Sequence, residues 1–312
     1  LGDAARAREF YESSSKQDMN RKDYFYAASV LYNVQDYKGA IENYSRMGDR
    51  SDSLGQIANY NMANSYLRLR NQVAAMDAFR LAGEVDFDRE ITEDALFNYA
   101  KLAFDLNKDT RGFAEYIRRY SSRTQGEKIY GYMALAALYD RDYKAAVDAY
   151  DQIDILSDDM LNNYTKANFL LAQELFDGGS YRDAIPYFKA TAYYLPKNDR
   201  LNQLARYQIS EASYRIGDYE SAAQGFIELY NSSALEGTSE ALVLPYNAAY
   251  SLFRQGKWSD ASRWFDIYTS KGISLYREDA LCRRADCDFA LKNYKDAATS
   301  YQKVMSEFFS AD

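Results

Sequence analysis

Chemistry needs a nucleophile, a base, a ligand set or a binding face, and this chain limits which of these it can offer. It contains no histidine. That excludes Ser–His–Asp and Cys–His catalysis and any zinc site built on imidazole. Its two cysteines, Cys282 and Cys287, lie five apart on one predicted helix. Such a spacing gives about 7.5 Å of rise and more than a quarter-turn of rotation, outside disulfide geometry. They read as two reduced thiols in packing positions, which fits either a reducing or an oxidising compartment. No GxxxxGK[ST] or GxGxxG stretch occurs, so no phosphate-cradling loop is expected. The stretch DFDRE at 86–90 opens like a calcium loop, but Ile91 and Phe97 stand where that loop needs Gly and Glu. The 46 acids supply many carboxylate pairs; a sugar-cleaving site would need two of them within about 10 Å in a cleft. No cofactor or metal is implied.

What remains is a surface. The formal net charge is −8 and the pI about 4.9, whereas nucleic acid requires a basic face. The most basic stretch, YIRRYSSR at 116–123, is flanked by acids and reads as a solvated face. The acidic DQIDILSDDM at 151–160 reads as a solvated loop. No run of 18 apolar residues is present, so no integral membrane segment is expected. The start shows no leader pattern of charged then apolar residues. Hydrophobic residues make up 47% of the chain, against only three Pro and fifteen Gly. A large or extended helical core follows. Thirty-one tyrosines suit a high ratio of surface to core, since a Tyr ring buries apolar area and keeps one polar tip.

The elements that carry this surface repeat. QDYKGAIENY, DRDYKAAVDAY, GSYRDAIPYF, GDYESAAQGF, GKWSDASRWF and KNYKDAATSY share one spacing. Anchoring on the small residue gives Ala40, Ala75, Gly112, Ala146, Ala184, Ala222, Ala261 and Ala297, separated by 34 to 39 residues. Four after each anchor stands an aromatic: Tyr44, Phe79, Tyr116, Tyr150, Phe188, Phe226, Phe265 and Tyr301. Twelve before each stands Ala, or Ser at Ser210. Aromatic, small and aromatic at i, i+3 and i+7 share one helix face. Paired small positions let two helices approach until ridges interlock, so each unit predicts a tight antiparallel helix pair. Gly179, Gly217 and Gly256, five before their anchors, predict left-handed helix caps, and an Asp at or near the turn, as Asp218 after Gly217, starts the next helix.

On these residues the chain resembles the tetratricopeptide repeat family, whose helix–turn–helix unit is about 34 residues long. The resemblance implies an all-α, right-handed superhelical solenoid of antiparallel helix pairs. It divides the chain into a second helix at 1–20, with Ala7 as anchor and Tyr11 four later, and repeats at 21–54, 55–91, 92–126, 127–160, 161–198, 199–238, 239–275 and 276–312. Pro196 matches the family's closing proline. The longer units and the Tyr-rich style are similar to repeats of bacterial envelope proteins: outer-membrane assembly lipoproteins, Tol–Pal-associated proteins and Bacteroidetes proteins. An envelope setting follows as an expectation, with a cytoplasmic one open. Beginning mid-repeat and ending on Phe308 and Phe309, the chain reads as a piece of a longer array or one whose end a neighbour covers. The unit at 92–126, with Gly112 for Ala and Asp109 for the aromatic, is expected to be the loosest joint. Pro186 is expected to bend its helix, and 229–246 to be the longest connection.

The resemblance places groove-facing side chains fifteen, eleven and eight before each anchor. The first row includes Phe25, Tyr60, Phe97, Phe169, Tyr207 and Tyr246. The middle row varies and includes Lys101, Gln173, Glu211 and Tyr250. The third runs Tyr32, Leu67, Phe104, Leu138, Phe176, Tyr214, Phe253 and Phe289. The first row is expected to be more exposed than the third. The family's clamp for a C-terminal carboxylate needs Lys in the first row and Asn in the middle one; Asn64 is present but the Lys is not, which argues against chaperone tails. Three functions stay open. One is a non-enzymatic scaffold gripping a protein or peptide segment in an aromatic groove. Another is a structural spacer whose aromatics pack on each other, and the third a carbohydrate-active enzyme using an Asp/Glu pair.

Overall fold

The computed structural model describes residues 19–120, 126–273 and 275–308, with Glu9 and Ser13. The expected half-repeat with Ala7 and Tyr11 lies outside the described residues, as do Phe309 and the end of the basic stretch at 121–123. Among the described residues every regular element is a helix. The chain forms two compact units, Leu1–Ile155 and Leu156–Asp312.

The first unit holds α1 (Arg21–Asn33), α2 (Tyr37–Ser45), α3 (Ser53–Arg68), α4 (Gln72–Gly83), α5 (Arg89–Asn107), α6 (Arg111–Tyr120), α7 (Gly126–Tyr139) and α8 (Tyr143–Tyr150). Each helix packs on the next, and the first helices of successive pairs also touch, α1 with α3, α3 with α5 and α5 with α7. The second unit repeats the scheme with α9 (Asp158–Asp177), α10 (Tyr181–Tyr194), α11 (Arg200–Arg215), α12 (Tyr219–Asn231), α13 (Ser239–Arg254), α14 (Trp258–Ser270), α15 (Arg277–Ala290) and α16 (Tyr294–Phe308). There α9 touches α11. Each unit is thus an all-α stack of helix pairs.

The small–large code is the core. The anchor alanines are buried, as are the small residues twelve earlier and the aromatics from Tyr44 to Phe265 four later. Close approach shows most sharply where glycine enters. A Cβ built on Gly112 would sit 2.8 Å from Ala100 Cβ, so α5 and α6 approach closely at this point. Among the described residues α6 packs on α7 less extensively than any other consecutive helices within either unit, as expected of the loosest joint. Asp109, in place of the aromatic there, accepts from the Arg111 N–H at 3.0 Å and serves the helix start. Where Ser210 replaces Ala in the small row, Gly225 stands opposite, and a Cβ there would lie 2.1 Å from the Ser210 hydroxyl.

Capping side chains set where helices begin. Asp52, Asp88 and Ser157 accept from the first-turn N–H groups of α3, α5 and α9. These helices therefore start at Ser53, Arg89 and Asp158, ahead of the divisions expected at 55, 92 and 161. The last part of the acidic 151–160 stretch is accordingly helix rather than loop. The long connection expected at 229–246 also shrinks, because Thr238 accepts from the Ala241 N–H at 3.2 Å and α13 runs through Pro245. Likewise α10 continues through Pro186 to Tyr194. The basic stretch is paired locally, Arg118 and Arg119 both bonding Glu115.

The turn inside each pair uses a left-handed residue. Gly179, Gly217 and Gly256 have φ of 81°, 84° and 74°. Gln35, Arg70, Arg141 and Lys292 hold the same place with φ of 64°, 60°, 59° and 65°, and Lys108 serves the third pair. For a residue with a Cβ that conformation costs about 1–2 kcal/mol, so glycine was an incomplete guide to these turns. Between pairs, buried polar side chains tie the connections down. Gln56 Nε2 donates to Thr92 Oγ1 at 2.8 Å and to the Val85 carbonyl at 3.0 Å, while the Asp88 N–H donates to Gln56 Oε1 at 2.8 Å. In the second unit Asn202 Nδ2 donates to the carbonyls of Ala192 and Leu195 at 2.7 and 2.8 Å.

Two stability predictions follow from these turns and ties. Gly217→Ala is expected to destabilise by about 1 kcal/mol and Arg70→Gly to stabilise by up to about 1 kcal/mol; urea unfolding followed by circular dichroism gives both signs. Gln56→Leu removes the partner of the partly buried Asp88 N–H and the donor to Thr92, and should cost about 1–3 kcal/mol in the same assay.

Candidate functional site

The aromatic rows interact by a fixed rule. Each ring fifteen before an anchor meets the ring four after it, edge to face, across the pair. Centroid separations are 6.0 Å for Phe25–Tyr44, 5.9 Å for Tyr60–Phe79 and 6.2 Å for Phe97–Tyr116 in the first unit. They are 5.5 Å for Phe169–Phe188, 5.8 Å for Tyr207–Phe226 and 6.2 Å for Tyr246–Phe265 in the second. The row eight before meets the row three before at the turn, as in Phe176–Tyr181 at 4.9 Å and Phe253–Trp258 at 5.0 Å. Edge-to-face geometry sets the positive ring edge against a negative face, so both rows hold the pairs together.

This corrects the expected exposure. Phe25 and Phe97, each 8% exposed, are buried packing residues and not open groove contacts, because they sit mid-helix opposite the partner ring. The third row is half-buried at most of its positions, with Phe289 59% exposed. It lies near helix ends, where fewer neighbours cover it, so the first row is not the more exposed one.

Tyrosine hydroxyls then reach the following repeat. Tyr60 donates to Asp94 at 2.7 Å and Tyr246 to Asp279 at 2.9 Å. Asp94 and Asp279 occupy the same place in their repeats, eighteen before the anchor. Ile57 and Leu204 hold that place after Phe25 and Phe169, matching a ring that has no hydroxyl. Tyr207 breaks the rule, since Val243 stands where its acid should be. Its hydroxyl turns instead to Glu211 Oε1 at 3.3 Å.

At this break the second unit opens a groove of about 660 Å³ between α11, α13 and the segment before α15. Glu211 is set in it mid-helix, and Asn247 Nδ2 holds the same Oε1 at 2.7 Å while also approaching the Tyr207 hydroxyl at 3.3 Å. Burial pushes the Glu211 carboxyl above its ordinary range, against an opposing pull from Arg215. Burial likewise pushes the Tyr207 phenol up. Arg215 lies over the Tyr181 ring, 5.9 Å from its centroid. The walls include Tyr214, Tyr246, Tyr250 and Tyr276. Tyr246 and Tyr276 stack at 4.9 Å and 17°, and Tyr276 stays 51% exposed.

Of the residues expected in a groove, the structure brings together Tyr207, Glu211, Tyr246 and Tyr250. Phe169 and Gln173 lie elsewhere in the second unit, Gln173 bonding Asp177 at 2.9 Å. Phe25, Tyr60, Phe97 and Lys101 belong to the first unit, where Lys101 Nζ lies 6.0 Å from the Tyr132 ring centroid. Asn247 and Tyr276 were missed. Asn247 follows Tyr246 directly, but nothing in the sequence places its amide beside Glu211 on another helix. Tyr276, in a left-handed conformation with φ of 56°, lies in a connection outside the repeat code. The cysteines are free thiols, and burial pushes Cys287 up to about 12. Among the described residues no cluster of three or more His, Cys, Asp or Glu could hold a metal, and no helix is long and apolar enough to cross a membrane.

The family model for the tetratricopeptide repeat matches residues 169–233, a stretch from within α9 to just past α12 that carries Tyr207 and Glu211. It supports the tetratricopeptide reading of these helix pairs. Among solved structures, a tetratricopeptide repeat protein from Parabacteroides merdae is 12% identical, with 82% of this chain and 94% of that chain covered and a TM-score of 0.33. The C-terminal part of a TPR repeat-containing protein from Cytophaga hutchinsonii is 13% identical, with 88% and 98% covered and a TM-score of 0.35. No curated protein sequence matches the chain.

The half-buried Glu211 makes a pH prediction. A carboxyl whose folded pKa is raised favours the fold below its unfolded value, and that contribution is lost as pH rises through the folded value. Glu211→Gln keeps an acceptor for Asn247 and removes the charge. Its thermal midpoint is expected to gain on the wild type as pH rises from the ordinary carboxylate range upward, and a difference that stays constant with pH contradicts the assignment.

Proposed function

We propose that this chain is a non-enzymatic scaffold that binds a segment of a protein partner in the groove of its second unit. The observation that carries the reading is the coincidence, in one 660 Å³ groove, of tyrosine walls and a polar Glu211–Asn247–Tyr207 floor. Tyr gives large contact area at little rotamer cost, and a few placed polar groups fix register. In the first unit Phe25 and Phe97 are spent on packing, which favours a spacing role for that unit. The long, Tyr-rich repeats support an envelope-associated scaffold.

The test is selection of displayed peptides on the full chain, with affinities of enriched sequences measured by fluorescence anisotropy. Tyr276→Ala removes an exposed wall ring and is expected to weaken binding by about tenfold, the loss typical of an aromatic anchor. Peptides that bind Tyr276→Ala and Tyr207→Ala as tightly as wild type would show that the groove is not the site.

A further inference from the structure

We propose that the groove selects a cationic side chain, a lysine or arginine of the bound segment, and seats it against Glu211 between the tyrosine rings. The proposal rests on the groove reading above and adds the chemistry of the occupant. Three observations carry it.

The first is a carboxylate retained where the repeat does not need one. The middle row varies, with Ser29, Asn64 and Leu135 at equivalent places, and its other acid, Asp286, is paired with Arg283 at 2.6 Å. Yet Glu211 occupies a half-buried place and its hydrogen-bond partners, Asn247 and Tyr207, are both neutral. They orient the group without neutralising it. A desolvated carboxylate with neutral partners gains most from a cation that brings no further water into the site.

The second is the wall. Tyr246 and Tyr276 are stacked and Tyr250 lies 5.1 Å from Tyr246, so tyrosine rings line the groove beside the acid. Ring faces carry negative charge and attract ammonium and guanidinium groups within about 6 Å. An apolar occupant would use the rings but strand the acid, and an anionic one would be repelled by both.

The third is the surrounding charge. Glu240, on the first turn of α13, also lines the groove, and the chain carries a net −8. Arg215 is the opposing group, and its guanidinium is drawn over the Tyr181 ring. The field therefore favours approach of a basic segment.

The experiment uses peptides selected on the full chain. Each is synthesised with lysine at its enriched position and again with norleucine, which keeps the chain length and removes the charge. Both are titrated against wild type, Glu211→Gln and Tyr276→Leu. Lysine or arginine is expected to be enriched at one position, with the lysine peptide about tenfold tighter than its norleucine twin on wild type. That ratio should fall to about 1 in Glu211→Gln and decrease several-fold in Tyr276→Leu, which keeps apolar area but loses the ring face. Retention of the ratio in Glu211→Gln overturns the proposal. So does enrichment of Asp or Glu, which would point to Arg215, or enrichment with no charge preference; in each case groove binding itself stands. A concentration-dependent dimer that dissolves in Glu211→Gln would name a second copy as occupant and also overturn it. Failure to enrich any peptide overturns the groove reading, and this proposal with it.

Discussion

Everything here depends on how closely two helices can approach. A helix pair interlocks only where one side chain is small enough to admit the ridge of the other. In this chain that condition is met twice per repeat, at the anchor and twelve residues before it. Gly112 against Ala100, and Gly225 against Ser210, show how little room remains. Once backbones are that close, the aromatic four after the anchor has one place to go, into the seam, and it is buried from Tyr44 to Phe265. Tertiary structure then follows from the same contact made again and again between sequence neighbours.

Buried aromatics would be interchangeable if only area mattered. Their edge-to-face pairing gives them direction, and the hydroxyl adds a register. Tyr60 and Tyr246 each find an acid in the next repeat, while Ile57 and Leu204 stand at the equivalent place after Phe25 and Phe169. Each strut joins one repeat to the next and satisfies a phenol that would otherwise be left short of a partner in a half-dry interface. Tyr207, facing Val243, is where this bookkeeping fails.

Departures from a local rule mark functional positions more often than chance packing does. The break at Tyr207 leaves a groove, a phenol turned into it and a carboxylate that burial disfavours. A neutral residue at Glu211 would relieve that cost, as Ser29, Asn64 and Leu135 show the position can be neutral. Glu211 therefore holds a charge at some cost in stability, the kind of cost that the proposed binding role would explain.

The sequence by itself determined the helix pairs. The in-phase small and aromatic residues follow from steric limits acting within one turn of helix and between neighbouring helices, and such limits are written locally. It determined the packing code down to Ser210 and Gly112. The resemblance that the repeat carries placed Tyr207, Glu211, Tyr246 and Tyr250 on one side of the first helices. What it left open was which ring on those faces is covered. Phe25 and Tyr246 hold the same place in the repeat, yet one is buried and the other lines a groove, because exposure depends on neighbours from other repeats. Left-handed turns at Gln35 and Arg70 were hidden because the surrounding pair imposes a conformation that those side chains do not announce. Only the tertiary structure set Val243 opposite Tyr207, brought Asn247 to Glu211 and laid Tyr276 over Tyr246. Those contacts join residues from separate elements, and their geometry is fixed by how the helix pairs stack.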